Sequence, residues 1–273
     1  MIALASRIAS VEILSFAPQS HRGDQMFEAL ARVVRGTARW SAGRAYRGEA
    51  DLLCLWGPGA PDRVEPMWRQ LAAGGHVACF DLAYWDRQRK MRVSIDAPHP
   101  QAWVMRREWP TARLEADQIV TGDRWNPDGP VVIAGIGRKA SVQYGASVQA
   151  WEATMIAEAR RRGRTVWYRP KKAEMPTPSG VQRAPAGQIE TVLTGASLVC
   201  TWHSNVAVDA IRMGIPVICQ DGAAAAVCPS TWQDEHRPLE AARRERFLAN
   251  LAWFQWAPTE AEGLWAWLQE ILA

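Results

Sequence analysis

Residues 197–222, SLVCTWHSNVAVDAIRMGIPVICQDG, constrain the fold more than any other stretch of the chain. Ser197–Thr201 reads as a buried strand, Val206–Met213 has helical spacing and is closed by Gly214, and Pro216–Gln220 is a second short apolar strand. Strand, turn, helix and strand in so few residues are the unit of a parallel sheet covered by helices. A helix that begins at the carboxyl end of such a strand presents free N–H groups and the positive end of its dipole, which attract an anion. His203, Ser204 and Asn205 stand at that start. Ser204 and Asn205 are also natural N-caps, so a capping role accounts for them equally well. His203 is harder to explain as packing.

The same alternation runs through the rest of the chain. In the first half the apolar runs Val11–Ala17, Asp51–Trp56 and His76–Leu82 read as strands, with Met91–Ile95 as a further candidate. The segment MFEALARVV, with Asp24 as its N-cap, and Asp62–Ala73 read as helices between them. Residues 121–130, TGDRWNPDGP, carry the Gly, Pro, Asn and Asp of a linker. The alternation then restarts with strands Val131–Gly135 and Thr165–Arg169, the helix Val148–Arg162, and a short helix Ile189–Leu193. Two amphipathic helices, Leu239–Trp256 and Thr259–Leu272, close the sequence. The expected architecture is therefore α/β, with two Rossmann-like lobes whose parallel sheets face a central cleft. Its expected divisions are an N-terminal lobe 1–125, a second lobe 126–238 and C-terminal helices 239–273.

Composition narrows the class of protein. In 273 residues, 48% are hydrophobic and 22% charged, the balance of a globular chain. Lys and Arg outnumber Asp and Glu by 32 to 28, which permits an anionic ligand without demanding one. No two of Cys54, Cys79, Cys200, Cys219 and Cys228 form a CxxC pair, and most lie in or beside apolar runs. They read as reduced core thiols of a cytoplasmic protein, not zinc ligands. No apolar run is long enough to span a membrane. The fifteen tryptophans read chiefly as packing residues, with stacking on a base or sugar as the other use of such rings.

Two further basic clusters follow strands of the second half. Gly135-Ile136-Gly137-Arg138-Lys139 succeeds the strand 131–135, where glycine allows close backbone approach and the two cations suit a phosphate. Its spacing is not that of a dinucleotide fingerprint. Arg169-Pro170-Lys171-Lys172 succeeds the next strand, and for the two lysines a solvated turn is an equal reading. Candidate proton acceptors in the first half are His21 and Asp81, with Asp96 and His99 less clearly placed. Asp81 leads because it ends a buried strand, where a carboxylate without a task would be costly; capping of the next turn is its other reading.

The segment 197–222 resembles the equivalent stretch of glycosyltransferases of the two-lobed GT-B fold, above all the capsule-polysaccharide transferases, with their strand, Ser-Ser/Asn, helix and Gly-x-Pro-Val pattern. The resemblance implies that the second lobe holds the phosphates of a nucleotide-sugar donor, that Ser204 and Asn205 contact phosphate, and that His203 lies beside the leaving group. It would place Asp209 near a ribose, or simply on the helix surface. Gly137, Arg138, Lys139, Arg169 and Lys171 would complete the donor site, the first lobe would bind the acceptor, and the last helix would cross back to it. The segments FDLAYWDR…RVSIDAPHP and NLAWFQWAPTEAEGLWAWL resemble, more loosely, phage-encoded proteins of this kind. That likeness implies a hydroxylated base in double-stranded DNA as acceptor, in the host cytoplasm. Arg87, Arg89, Lys90, Arg92, Arg106 and Arg107 would then follow a phosphate backbone. No DxD triplet occurs, so the expectation is metal-independent transfer with no cofactor beyond the nucleotide-sugar co-substrate. A nucleotide-sugar epimerase or hydrolase of the same fold, and a non-catalytic nucleotide or nucleic-acid binding protein, are the rival readings.

Overall fold

The computed structural model describes residues 8–15, 21–35, 38–42, 46–137 and 148–273. The chain divides into two compact units, Met1–Pro100 with Phe254–Ala273, and Gln101–Trp253. Both are α/β, and each is built around one sheet.

In the first unit, strands β1 (Val11–Ser15), β2 (Ala38–Ala42), β3 (Leu52–Trp56) and β4 (His76–Leu82) run parallel, in the spatial order β4, β3, β1, β2. Alternation assigns each face a set of side chains. Leu53, Leu55 and Cys79 pack with Met67 of helix Pro61–Ala72. On the other face Phe27 of helix His21–Val33 meets Phe80 edge to face, with ring centroids 5.1 Å apart. That helix begins at His21, so Asp24 lies in its first turn instead of capping it.

Strand β5 (Met91–Ile95) departs from the expected all-parallel sheet, pairing antiparallel with β4. Residues 83–90 are too few for the crossover that a parallel return requires. The tail departs too. Instead of one helix over 239–256, a helix spans Ala241–Ala252 and a two-residue strand, Gln255–Trp256, pairs antiparallel with β5. Gln255 is fully buried there, its side-chain oxygen accepting hydrogen bonds from the backbone N–H groups of Tyr84 (2.7 Å) and Trp85 (3.2 Å). A continued helix would forfeit those bonds. The final helix, Ala261–Ile271, packs against helix His21–Val33 and buries Leu264, Trp267 and Leu268.

The second unit holds a parallel sheet of β6 (Val131–Ala134), β7 (Val166–Arg169), β8 (Gln182–Arg183), β9 (Leu198–Thr201) and β10 (Val217–Cys219), in the spatial order β10, β9, β6, β7, β8. Val131, Ile133, Tyr168, Leu198, Cys200 and Ile218 share a core with Met155, Ile156 and Ala159 of helix Val148–Arg161. Helix Val206–Arg212 packs against β9 and β10. Gly214 ends it in the left-handed region (φ 68°), and the N–H of Ile215 reaches back to the carbonyl of Ala210 at 2.9 Å, a Schellman closure. A Cβ at Gly214 would also stand 2.7 Å from the carbonyl oxygen of Gly122, so glycine is required twice over. Residues 122–126 hydrogen-bond through their backbone to residues 195–196 and 212–213, which ties this stretch along the second unit.

Candidate functional site

The order of the second sheet determines where a ligand would sit. From β6 the chain crosses to β7 and β8 on one side, then returns to β9 and β10 on the other. Open parallel sheets bind ligands at the carboxyl ends of the two strands flanking such a reversal. Here those ends carry Gly135-Ile136-Gly137 after β6 and Trp202-His203-Ser204-Asn205 after β9.

The turn after β9 is held by its own side chains. Ser204 N–H donates to Thr201 Oγ1 at 3.1 Å, and Val206 N–H donates to Ser204 Oγ at 3.4 Å. Ser204 stands one residue before the cap position, and its hydroxyl meets the first N–H of the helix without making the N-cap bond that its residue type suggested. Asn205 makes no side-chain cap bond, although it occupies the cap position. The neighbouring strand braces the turn from the far side: Asp221 N–H donates to the Trp202 carbonyl at 2.6 Å, and Gly222 (φ 93°) lies against the His203 backbone. A Cβ at Gly222 would stand 3.3 Å from His203 Cα and O. Asp221 Oδ1 accepts from Gly222 N–H at 2.6 Å, placing a partly exposed carboxylate one strand away from His203. Trp202 meets Trp151 edge to face at 5.9 Å.

The turn after β6 is fixed from beneath. Glu152 of helix Val148–Arg161 is only 6% exposed and accepts a hydrogen bond from Ile136 N–H at 2.6 Å. Its other oxygen accepts from Tyr168 Oη at 2.8 Å. Burial raises the Glu152 pKa, against the two hydrogen bonds that lower it. Burial, and then the Glu152 carboxyl, also push the Tyr168 phenol up, so it remains a donor. At Gly135 a Cβ would lie 2.6 Å from Tyr168 Oη, and at Gly137 one would lie 3.3 Å from Lys171 Cγ. The approach at Gly137 puts Lys171 beside the loop.

Of the expected site residues, Gly137, Lys171, His203, Ser204 and Asn205 lie at this carboxyl edge. Arg169 ends β7 and donates to the Gly187 carbonyl at 3.1 Å. Arg138 and Lys139 lie outside the described residues. Asp209 is 7% exposed, and its carboxylate is 3.9 Å from Arg212 on the next turn; Arg212 also pairs with Glu190 at 3.0 Å. Asp209 is therefore engaged along the helix. In the first unit, His21 is the first residue of its helix. Asp81, near the end of β4, pairs with Arg92 at 2.9 Å and accepts from Leu82 N–H at 2.7 Å. Arg92 is 5% exposed, so a buried guanidinium obtains its counter-charge from Asp81. Asp96 lies at the opposite, amino end of β4, bonded to His76 Nδ1 (2.9 Å) and Val77 N–H (2.8 Å), and His99 is buried. All five cysteines are free thiols, and burial raises their pKa values, to about 12 for Cys54 and Cys228.

Sequence reasoning missed Glu152, Tyr168 and Asp221. Only their strand and helix positions were legible; their approach to the loops comes from the packing of distant segments.

No protein-family model matches the chain, and no curated protein does. Two solved structures resemble it along nearly its whole length. Both come from Thermosulfurimonas dismutans KpsC: the beta Kdo 2,4 transferase, covering 93% of this chain and 94% of its own, and the beta Kdo 2,7 transferase, covering 93% and 99%. Each superposes with a TM-score of 0.53 at 11% identity. A likeness at that identity defines the fold: α/β of GT-B type, with two mostly parallel sheets of six and five strands. No helix among the described residues is long and apolar enough to cross a membrane.

Proposed function

We propose that the chain is a glycosyltransferase, taking a sugar from a nucleotide-sugar donor held at the carboxyl edge of the second sheet to an acceptor hydroxyl. The observation that carries this reading is the reversal between β6 and β9, which sets His203-Ser204-Asn205 on one side and the glycine loop 135–137, with Lys171 beside it, on the other. The similarity in fold to two Kdo transferases supports the same class.

In the proposed reaction the acceptor oxygen bonds to the anomeric carbon as the bond from that carbon to the donor phosphate breaks. The bonding electrons leave with the nucleotide, and the acceptor proton passes to a base. In this reading the second unit offers the leaving group a cation at Lys171 and His203 as a donor to the departing phosphate. Transfer is proposed to need no metal, the phosphate being stabilised by these groups. His21 and Asp81 stay as proposed bases, and Asp81 would act only with its Arg92 pair rearranged.

The acceptor is proposed as a hydroxyl and no further. Of the cations expected to follow a DNA backbone, Arg92 is buried and paired with Asp81, which withdraws it from an external phosphate.

The test is a thermal-shift panel of nucleoside mono- and diphosphates and their sugar conjugates, since binding to the native state raises the unfolding midpoint. A base-selective rise with one nucleotide family supports the reading, and no rise with any member overturns it. Product formed only with added acceptor separates transfer from epimerisation or hydrolysis, and binding without turnover identifies a non-catalytic protein. Turnover that persists in a chelator supports the metal-free route; its loss counts against that route.

A further inference from the structure

A cavity of ≈ 260 Å³ opens at the other end of the second sheet, beside Val131 and Leu198, the first residues of β6 and β9. Its polar lining consists of Arg162, Arg164, Ser197, Trp232, Gln233, Asp234 and His236. Almost all of these offer donors. Arg162 is steadied by Glu158, whose carboxylate lies 2.8 Å from Nε, and its guanidinium carbon is 5.5 Å from the centre of the Trp232 ring. Arg164 is anchored through Nη2 to the carbonyl oxygens of Pro127 and Gly129. A guanidinium has five N–H groups, so these bonds orient the two arginines and leave others to donate. The His236 ring meets Trp232 edge to face at 5.3 Å, and its Nε2 accepts from Gln233 N–H at 3.3 Å, which leaves Nδ1–H as a donor. Ser197 Oγ and Trp232 Nε1 are buried with no hydrogen-bond partner. Buried polar atoms in that condition mark a missing acceptor.

The charges around the cavity agree. Glu158 is shared between Arg161 and Arg162, and Glu235 pairs with Arg237 at 2.9 Å, which leaves Asp234, an exposed side chain, as the remaining carboxylate of the lining. Burial, then Arg162 and Arg164, hold the His236 pKa below its ordinary value, so the ring is neutral near pH 7 and the arginines carry the positive charge.

We propose that this cavity is a second anion site, distinct from the carboxyl edge of the sheet, that takes a phosphate group between Arg162, Arg164 and His236. The phosphate is either free or the end group of a small phosphomonoester, and the site is independent of the transferase reading.

The test is a histidine side-chain NMR titration of the whole chain with inorganic phosphate, repeated with glycerol phosphate, at ionic strength held constant with sodium chloride. The expected result is a saturable shift of the His236 signals and a rise of about one pH unit in its titration midpoint, as an anion close to the ring favours the imidazolium. A larger affinity for one of the two ligands identifies the source. Arg164→Gln should weaken the response about tenfold or more, since it removes a charged donor. Lys171→Ala, at the opposite edge, should leave it unchanged. His236 signals that do not move with either ligand in the wild-type protein overturn the proposal, whatever the variants do. A response abolished by Lys171→Ala and untouched by Arg164→Gln overturns it as well.

Discussion

Tyr168, in a strand, and Glu152, in the helix that follows the neighbouring strand, are joined by a buried hydrogen bond of 2.8 Å, and the second oxygen of the same carboxyl holds the N–H of Ile136. One buried side chain thus fixes the turn that the proposed donor site needs. Both partners donate, one to each carboxyl oxygen.

Glu152→Gln has an effect on stability whose pH dependence can be signed. Burial raises the folded-state pKa above that of the unfolded chain, so the folded protein holds the proton to higher pH. The stability this group contributes is fully present below the unfolded pKa and is lost as pH rises through the folded one. Glutamine does not titrate. The difference in unfolding midpoint between wild type and Glu152→Gln should therefore favour wild type most at about pH 4 and narrow as pH rises toward neutrality. Thermal melts across that range check it; a gap that widens with pH refutes the assignment.

Gly135→Ala tests the packing of the same turn. The added methyl would meet Tyr168 Oη at 2.6 Å and Cζ at 2.9 Å. Overpacking of this kind costs about 1–3 kcal/mol. Tyr168→Phe in the same background removes the oxygen, so the two changes together should cost at least ~0.5 kcal/mol less than the sum of each alone. Chemical denaturation of the four proteins measures this coupling, and strict additivity would show that the clash is relieved elsewhere.

Much of the fold is legible in the sequence because its signals are local. His76–Leu82 is a strand over the residues its apolar run marks, with Gly74-Gly75 setting its start, and Gly214 closes its helix by a backbone requirement visible in one letter. What escapes is decided across distance. Strand Ala38–Ala42 has a mixed pattern and lies at the edge of its sheet, and the break before Gln255 exists because residues 84 and 85 need an acceptor. The site divides the same way. His203-Ser204-Asn205 announces itself as a helix start, whereas Glu152 looks like any charged residue of an amphipathic helix until Ile136 and Tyr168 close on it.

Asn250 offers a test free of any functional reading. It is fully buried, accepts from Trp109 N–H at 2.9 Å, and donates to the carbonyls of Val104 (2.8 Å) and Arg107 (2.9 Å). Asn250→Ala removes the side-chain partner of three backbone groups, two of them in fully buried bonds, at about 1–3 kcal/mol for each buried group before relaxation. Asn250→Asp keeps the shape but turns donors toward carbonyls into acceptors, and should be at least as damaging at neutral pH. A loss below ~1 kcal/mol in both, read by denaturant unfolding, would mean that water replaces the side chain.

His203 separates a ligand role from a structural one. Its turn is held by bonds that do not use its ring: Ser204 N–H to Thr201 Oγ1, Asp221 N–H to the Trp202 carbonyl, and the Gly222 approach to its backbone. His203→Ala should therefore unfold within a few degrees of wild type. If the imidazole donates to the leaving phosphate, the loss falls on the transition state, so kcat and kcat/KM should drop together by about 10²–10³-fold, the cost of removing one such donor. A variant that raises KM alone places His203 in ground-state binding. One that leaves both constants unchanged, with Lys171→Ala still impaired, removes His203 from the site and keeps the phosphate at the glycine loop.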